Sequence, residues 1–249
     1  YDLDDTGTLI SYQLDGETLE LLSGLTDIDI LADLGENRIL IQQDAEDAKH
    51  LYLVNPDLAQ LIDTPPDYNL FREALVQNDD YIVLATYFQP LTTGLLNIET
   101  GDFSPLIGFH SINDCCAFSE DGQYLYYAST ENTPDDSDII WALRERDLQS
   151  GEDQILFTFD EFQGERFAII VPDANGEYWL THLRDRETRT INTRLHHLDG
   201  SNNILGEEFD ESIMGWYWMD DVLVRIQLDD AENYQLTVFD TSENELMVY

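Results

Sequence analysis

Four oxygen-bearing side chains, Asn132, Asp135, Asp136 and Asp138, fall within seven residues. Hard donors of this kind suit Ca²⁺, so a weak Ca²⁺ site is one expectation for this loop; a solvated connection between two strands is the other. A second concentration is cationic. Seven of the ten arginines, Arg144, Arg146, Arg166, Arg184, Arg186, Arg189 and Arg194, lie between positions 144 and 194, which makes that window nearly balanced in charge. Arginine is favoured at interfaces and pairs with carboxylates through two parallel bonds, so the window is a candidate docking face. The competing account is local salt bridging on a broad surface. Trp216 and Trp218 point to one face of a predicted strand and Tyr217 to the other. Most aromatics in such a place are core, and a stacking platform for a sugar or peptide is the sharper reading.

Other chemistries lack their residues. No Gly-x-Ser-x-Gly pentapeptide supplies a nucleophile elbow. The stretch that opens at Asp2 starts like a calcium-binding loop, but its twelfth position is Gln13 rather than Glu. The histidines at 50, 110, 182, 196 and 197 show no zinc spacing. Cys115 and Cys116 are adjacent, where an ordinary disulfide is strained, so two small buried thiols are expected. With 52 acidic residues, carboxylate pairs are inevitable and therefore uninformative about glycoside cleavage. No catalytic residue and no firm cofactor is assigned.

The 52 acids stand against 11 cations, of which only Lys49 is a lysine, and the 249-residue chain carries a formal net charge of -41. Nothing here could replace the counterions of a nucleic acid or anchor to an anionic membrane. Hydrophobic residues still make up 43%, which excludes an acidic disordered tail. So acidic a surface repels itself at low salt and suits salty or extracytoplasmic surroundings. The chain begins at Tyr1 rather than Met, and a mature, trimmed or partial chain is the expectation.

The elements that must hold these residues are strands. Short runs rich in Val, Ile, Leu, Tyr and Phe, such as 38–43, 50–54, 123–127 and 234–239, alternate with turn signals at Asp15-Gly16, Asp121-Gly122, Asn175-Gly176 and Asp199-Gly200. The class is all-β. A pattern of apolar strand, turn and outer strand recurs near residues 14, 54, 98, 148, 198 and 239, at spacings of 40 to 50 residues. A four-stranded repeat of that length predicts a β-propeller.

The unit running from Phe118-Ser-Glu-Asp-Gly-Gln-Tyr-Leu-Tyr-Tyr-Ala-Ser129 through Ile140-Trp-Ala-Leu143 to Asp147-Leu-Gln-Ser-Gly-Glu152 resembles the TolB-like propeller repeat, also described as WD40-like. Fragments of it recur at 95–101 and 171–179. Counting strands gives one propeller domain over 1–249, with a partial blade at 8–23 and blades near 25–65, 66–108, 109–160, 161–209 and 210–249. About six four-stranded blades are expected, one incomplete in this chain, because open sheet edges invite aggregation and propellers close on themselves.

The resemblance implies a non-catalytic interaction module of the cell envelope, periplasmic or secreted, that binds a protein partner or neighbouring subunit. The alternative is an enzyme or enzyme fragment. It would be a lactonase- or glycosidase-type propeller with a metal in its channel, or the gating propeller of a prolyl-oligopeptidase-type peptidase.

Overall fold

The structure is a computed structural model describing residues 2–3, 9–12, 18–22, 28–35, 38–44, 49–55, 59–64, 71–86, 93–108, 116–132, 139–159, 168–173, 175–184, 190–197, 199, 201–209, 213–219, 222–228, 234–240 and 245–248. Every regular element among them is a strand, and no helix there is long and apolar enough to cross a membrane. The chain divides into two compact units, Tyr1–Ser111 and Ile112–Tyr249.

The first unit holds three sheets. Strands β1 (Asp2–Leu3), β2 (Leu9–Tyr12) and β3 (Thr18–Leu22) form the first. The second is β4 (Ile28–Gly35), β5 (Arg38–Asp44), β6 (Lys49–Val54) and β7 (Ala59–Ile62), and the third is β8 (Phe71–Gln77), β9 (Tyr81–Thr86), β10 (Thr93–Asn97) and β11 (Phe103–Pro105). Within each sheet, every strand pairs antiparallel with the next in sequence. The strands are rich in branched and aromatic residues, which fit a pleated surface buried on both faces. Leu40, Leu51, Leu53, Ile62, Phe71, Ile82, Leu84, Leu96 and Ile98 interlock as one core between the two four-stranded sheets.

Glutamines tie those sheets together, because a side-chain amide can complete backbone bonds that a strand end leaves open. Gln42 Oε1 accepts from Phe71 N at 2.7 Å, Gln60 Nε2 donates to Thr100 O at 3.0 Å, and Gln77 Nε2 donates to Asp33 O at 3.1 Å. Gly94 lets the Phe103 ring lie across its bare backbone; a Cβ there would stand 1.9 Å from Phe103 Cζ.

The second unit also has three sheets, each of four strands in sequence order. They are β12 (Cys116–Phe118), β13 (Tyr124–Asn132), β14 (Ile139–Asp147) and β15 (Asp153–Phe159); β16 (Ala168–Pro172), β17 (Tyr178–Arg184), β18 (Thr190–His197) and β19 (Asn202–Phe209); and β20 (Ile213–Met219), β21 (Val222–Leu228), β22 (Tyr234–Asp240) and β23 (Glu245–Val248). The all-β class and the four-stranded antiparallel meander are as the sequence predicts.

Two turns, one in each unit, are built alike. At Asn97–Asp102 the Asn97 Oδ1 accepts from Glu99 N and Thr100 N, and Gly101 N donates to Asn97 O. At Asp147–Glu152 the Asp147 Oδ1 accepts from Gln149 N and Ser150 N, and Gly151 N donates to Asp147 O. Both glycines take the left-handed conformation, φ 76° and 73°, which explains glycine at the fifth position.

Candidate functional site: a tyrosine-walled cleft between two hairpins

The turn Ser119–Tyr124 joins β12 to β13. Ser119 N donates to Tyr124 O, and Gly122 N donates to Ser119 O, both at 2.9 Å. The Ser119 hydroxyl donates to Asp121 Oδ1 at 2.7 Å and accepts from Tyr124 N at 2.9 Å. Asp121 Oδ1 also accepts from Gln123 N at 3.0 Å. These bonds, Gln123 N first and Ser119 next, hold the Asp121 carboxyl below its ordinary value and keep it ionised.

The turn Asp173–Tyr178 joins β16 to β17 in the same way. Asp173 N donates to Tyr178 O at 2.9 Å, Gly176 N donates to Asp173 O at 3.2 Å, and Tyr178 N donates to Asp173 Oδ1 at 3.0 Å. Asp173 is 4% exposed, and burial pushes its carboxyl up despite those bonds.

The two hairpins come together over Tyr126. Gly176, at φ 67°, lays its backbone against the phenol, and a Cβ on it would stand 2.3 Å from Tyr126 Cζ. Tyr124 and Tyr126 share one face of β13 and their rings stack, with centroids 6.5 Å apart and planes 28° from parallel. Beside them opens a cleft of about 470 Å³ lined by Ser119, Glu120, Asp121, Tyr124, Tyr126 and Asn175. Burial first, then the charges of Glu145, Asp173 and Asp121, push the Tyr126 phenol up to about 12. The cleft wall is thus aromatic, and its field is negative. The Ser119 hydroxyl is bound between Asp121 and Tyr124 N, and the described lining residues include no histidine or lysine to act as its base.

The arginines predicted as a docking face are distributed differently. Arg144 on β14 is 8% exposed and donates through Nε to Ser129 Oγ at 3.0 Å. Arg146 donates to Asp153 Oδ2 at 2.9 Å, and the Tyr127 hydroxyl donates to the other oxygen of the same carboxylate at 2.6 Å. Both guanidiniums are therefore internal ties of one sheet. Arg194 is half-buried on β18, and Arg184 lies on β17, where only its backbone is described. Arg166, Arg186 and Arg189 lie outside the described residues. Trp216 and Trp218 sit two apart on β20, with Trp218 half-buried. Asn132 ends β13, whereas Asp135, Asp136 and Asp138 lie outside the described residues. Among the described residues no group of three or more His, Cys, Asp or Glu is placed to hold a metal.

One histidine on β18 is buried. His196 stacks on Trp179, with centroids 5.9 Å apart and planes 2° from parallel, and its Nε2 lies 2.8 Å from Thr181 Oγ1. Burial, then the nearby Arg194 charge, lowers its pKa to about 4, so the ring is neutral at physiological pH.

By sequence, no family pattern and no curated protein matches the chain. By structure, a prolyl endopeptidase aligns over 87% of this chain and 35% of its own, with a TM-score of 0.58 at 10% identity. An oligogalacturonate lyase solved in complex with manganese aligns over 97% of this chain and 72% of its own, with a TM-score of 0.54 at 10% identity. The fold is a β-propeller built mainly of four-stranded antiparallel sheets. TolB from Acinetobacter baumannii itself aligns over 94% of this chain at 14% identity, with a TM-score of 0.48. The chain spans 57% of that TolB and about a third of the endopeptidase. The endopeptidase and the lyase, which align with TM-scores above 0.5, are both named as enzymes. The shared feature is the fold, and function has to be argued from the site.

Proposed function

We propose that this propeller is a non-catalytic binding module of extracytoplasmic surroundings that holds a protein partner on its hairpin rim. The observation that carries the reading is the cleft between the 119–124 and 173–178 hairpins. It is open, walled by tyrosines and fixed in shape by hairpin bonds, and among the described residues it offers contacts without an activated group. Rigid aromatic side chains with polar neighbours supply contact area at low entropic cost, which suits recognition. The net charge of -41 adds the surroundings, because such a surface stays compact where salt or cations screen it. Arg144 and Arg146 spend their guanidiniums inside a sheet, so the rim rather than the arginine-rich window is taken as the docking face.

The test has two arms. The purified chain is assayed with oligogalacturonate, a lactone panel and a prolyl peptide, each with and without Mn²⁺. It is also titrated by calorimetry against a partner purified after crosslinking in the native cell envelope. Saturable binding without turnover is expected, weakened by Tyr124→Leu. Turnover of any substrate, with or without Mn²⁺, would overturn the proposal in favour of an enzyme.

A further inference from the structure

We infer that the cleft walled by Tyr124 and Tyr126 seats an arginine side chain of the protein partner. The inference rests on the binding-module reading and names what the module grips. The walls are two stacked phenol rings, whose faces attract a cation, and the rim carries the carboxylates of Glu120 and Asp121. Behind the rings Asp173 and Glu145 add to the same field at Tyr126. Among the described residues that line the cleft there is no Lys, Arg or His to offset these carboxylates, so its described wall disfavours an anionic ligand.

A bare metal ion needs several oxygens converging on one point, and the described residues bring no such group together. A guanidinium fits better. It is planar, it stacks on an aromatic face, and its fork can meet a carboxylate edge-on while the ring covers its plane. Lysine offers only a point charge for the same space. The opening admits a side chain from outside, and the Asn175 amide on the far lip can bind backbone or side-chain groups beside it.

Gly176 makes the position specific. Its backbone lies against the Tyr126 phenol, which is buried, so the ring surface open to a visitor is that of half-buried Tyr124.

The probe is a capped peptide with a single arginine flanked by glycine and serine, set against the same peptide with citrulline, which keeps the shape and loses the charge. Backbone amide shifts of the full ¹⁵N-labelled chain are followed at physiological salt. The arginine peptide is expected to shift the amides of 119–126 and 175–178 together. Citrulline, Tyr124→Leu and Asp121→Asn are each expected to weaken binding about tenfold. Asp121→Asn keeps the oxygen that the hairpin needs, so it remains informative if Tyr124→Leu fails to fold.

Asp102→Asn removes one charge from a turn of the other unit and is expected to change nothing. The inference is overturned if citrulline binds as well as arginine, if the shifts spread over the acidic surface, or if Asp102→Asn weakens binding as much as Asp121→Asn. Any of these results, obtained with a purified partner still bound, removes this site and leaves the binding-module reading standing. Turnover in the enzyme assays removes that reading itself.

Discussion

Acid should unfold this protein partly through His196. The imidazole is 3% exposed, lies flat on Trp179 and meets Thr181 through Nε2. Burial, then the nearby Arg194 charge, lowers its folded pKa to about 4 from the ordinary histidine value of 6.5. The folded state therefore binds fewer protons than the unfolded chain between those values. The stability that neutral His196 allows is fully present above 6.5 and is lost as pH falls toward 4. At 1.36 kcal/mol per unit, the full loss is roughly 3 kcal/mol, and about 2 kcal/mol of it is gone by pH 5.

The acidic surface complicates the raw curve, because protonating carboxylates relieves repulsion as the pH falls. The difference between wild type and His196→Gln isolates the histidine, since Gln does not titrate and can still bond to Thr181. Urea unfolding of both proteins at pH 7 and pH 5 gives that difference, and the histidine ring signals give the pKa directly. Wild type should lose about 2 kcal/mol more than the variant over this range. A His196 ring that titrates near 6.5, or equal losses in the two proteins, would refute the reasoning.

Three further outcomes are expected. Gly94→Ala should cost about 1–3 kcal/mol in urea unfolding, because its Cβ must displace the Phe103 ring; Phe103→Leu in the same chain should recover part of the loss. Asp173→Asn should be at least as stable as wild type at pH 7. The carboxyl is raised above 3.8 by burial, so the folded state binds more protons and stability falls as pH rises through that window. The variant keeps the acceptor for Tyr178 N, and its advantage should vanish near pH 3, as thermal melts at the two pH values would report. Asp153→Ala removes the acceptor shared by Tyr127 and Arg146 and should cost about 3 kcal/mol, measured by denaturant midpoint.

The all-β class was legible because alternation and turn chemistry act locally. Asp121-Gly122, Asn175-Gly176, Thr100-Gly101 and Ser150-Gly151 each announce a turn, and all four glycines take positive φ. The four-stranded unit from 116 to 159 could be read from its repeat pattern for the same reason. The cleft was not legible. Its hairpins were read as turns, and Tyr124 and Tyr126 as part of an apolar strand. What makes them a site is the meeting of two turns about 50 residues apart, and spacing along a chain carries no record of which neighbours pack. The one available signal was Tyr at alternate positions directly after an Asp-Gly turn, which sets two rings on one face at a rim. Arg144 misleads in the opposite way. A charge in a strand suggests solvent, but Ser129 two rungs along the ladder draws its guanidinium into the sheet.

The twin turns at 97–102 and 147–152 bear on how the chain acquires its shape. Every bond that closes them spans five residues or fewer, so each can form within microseconds, before distant parts of the polypeptide have met. Strand alignment is then decided early and nearby, and the slow search left to the nascent chain is only for which finished hairpin stacks on which.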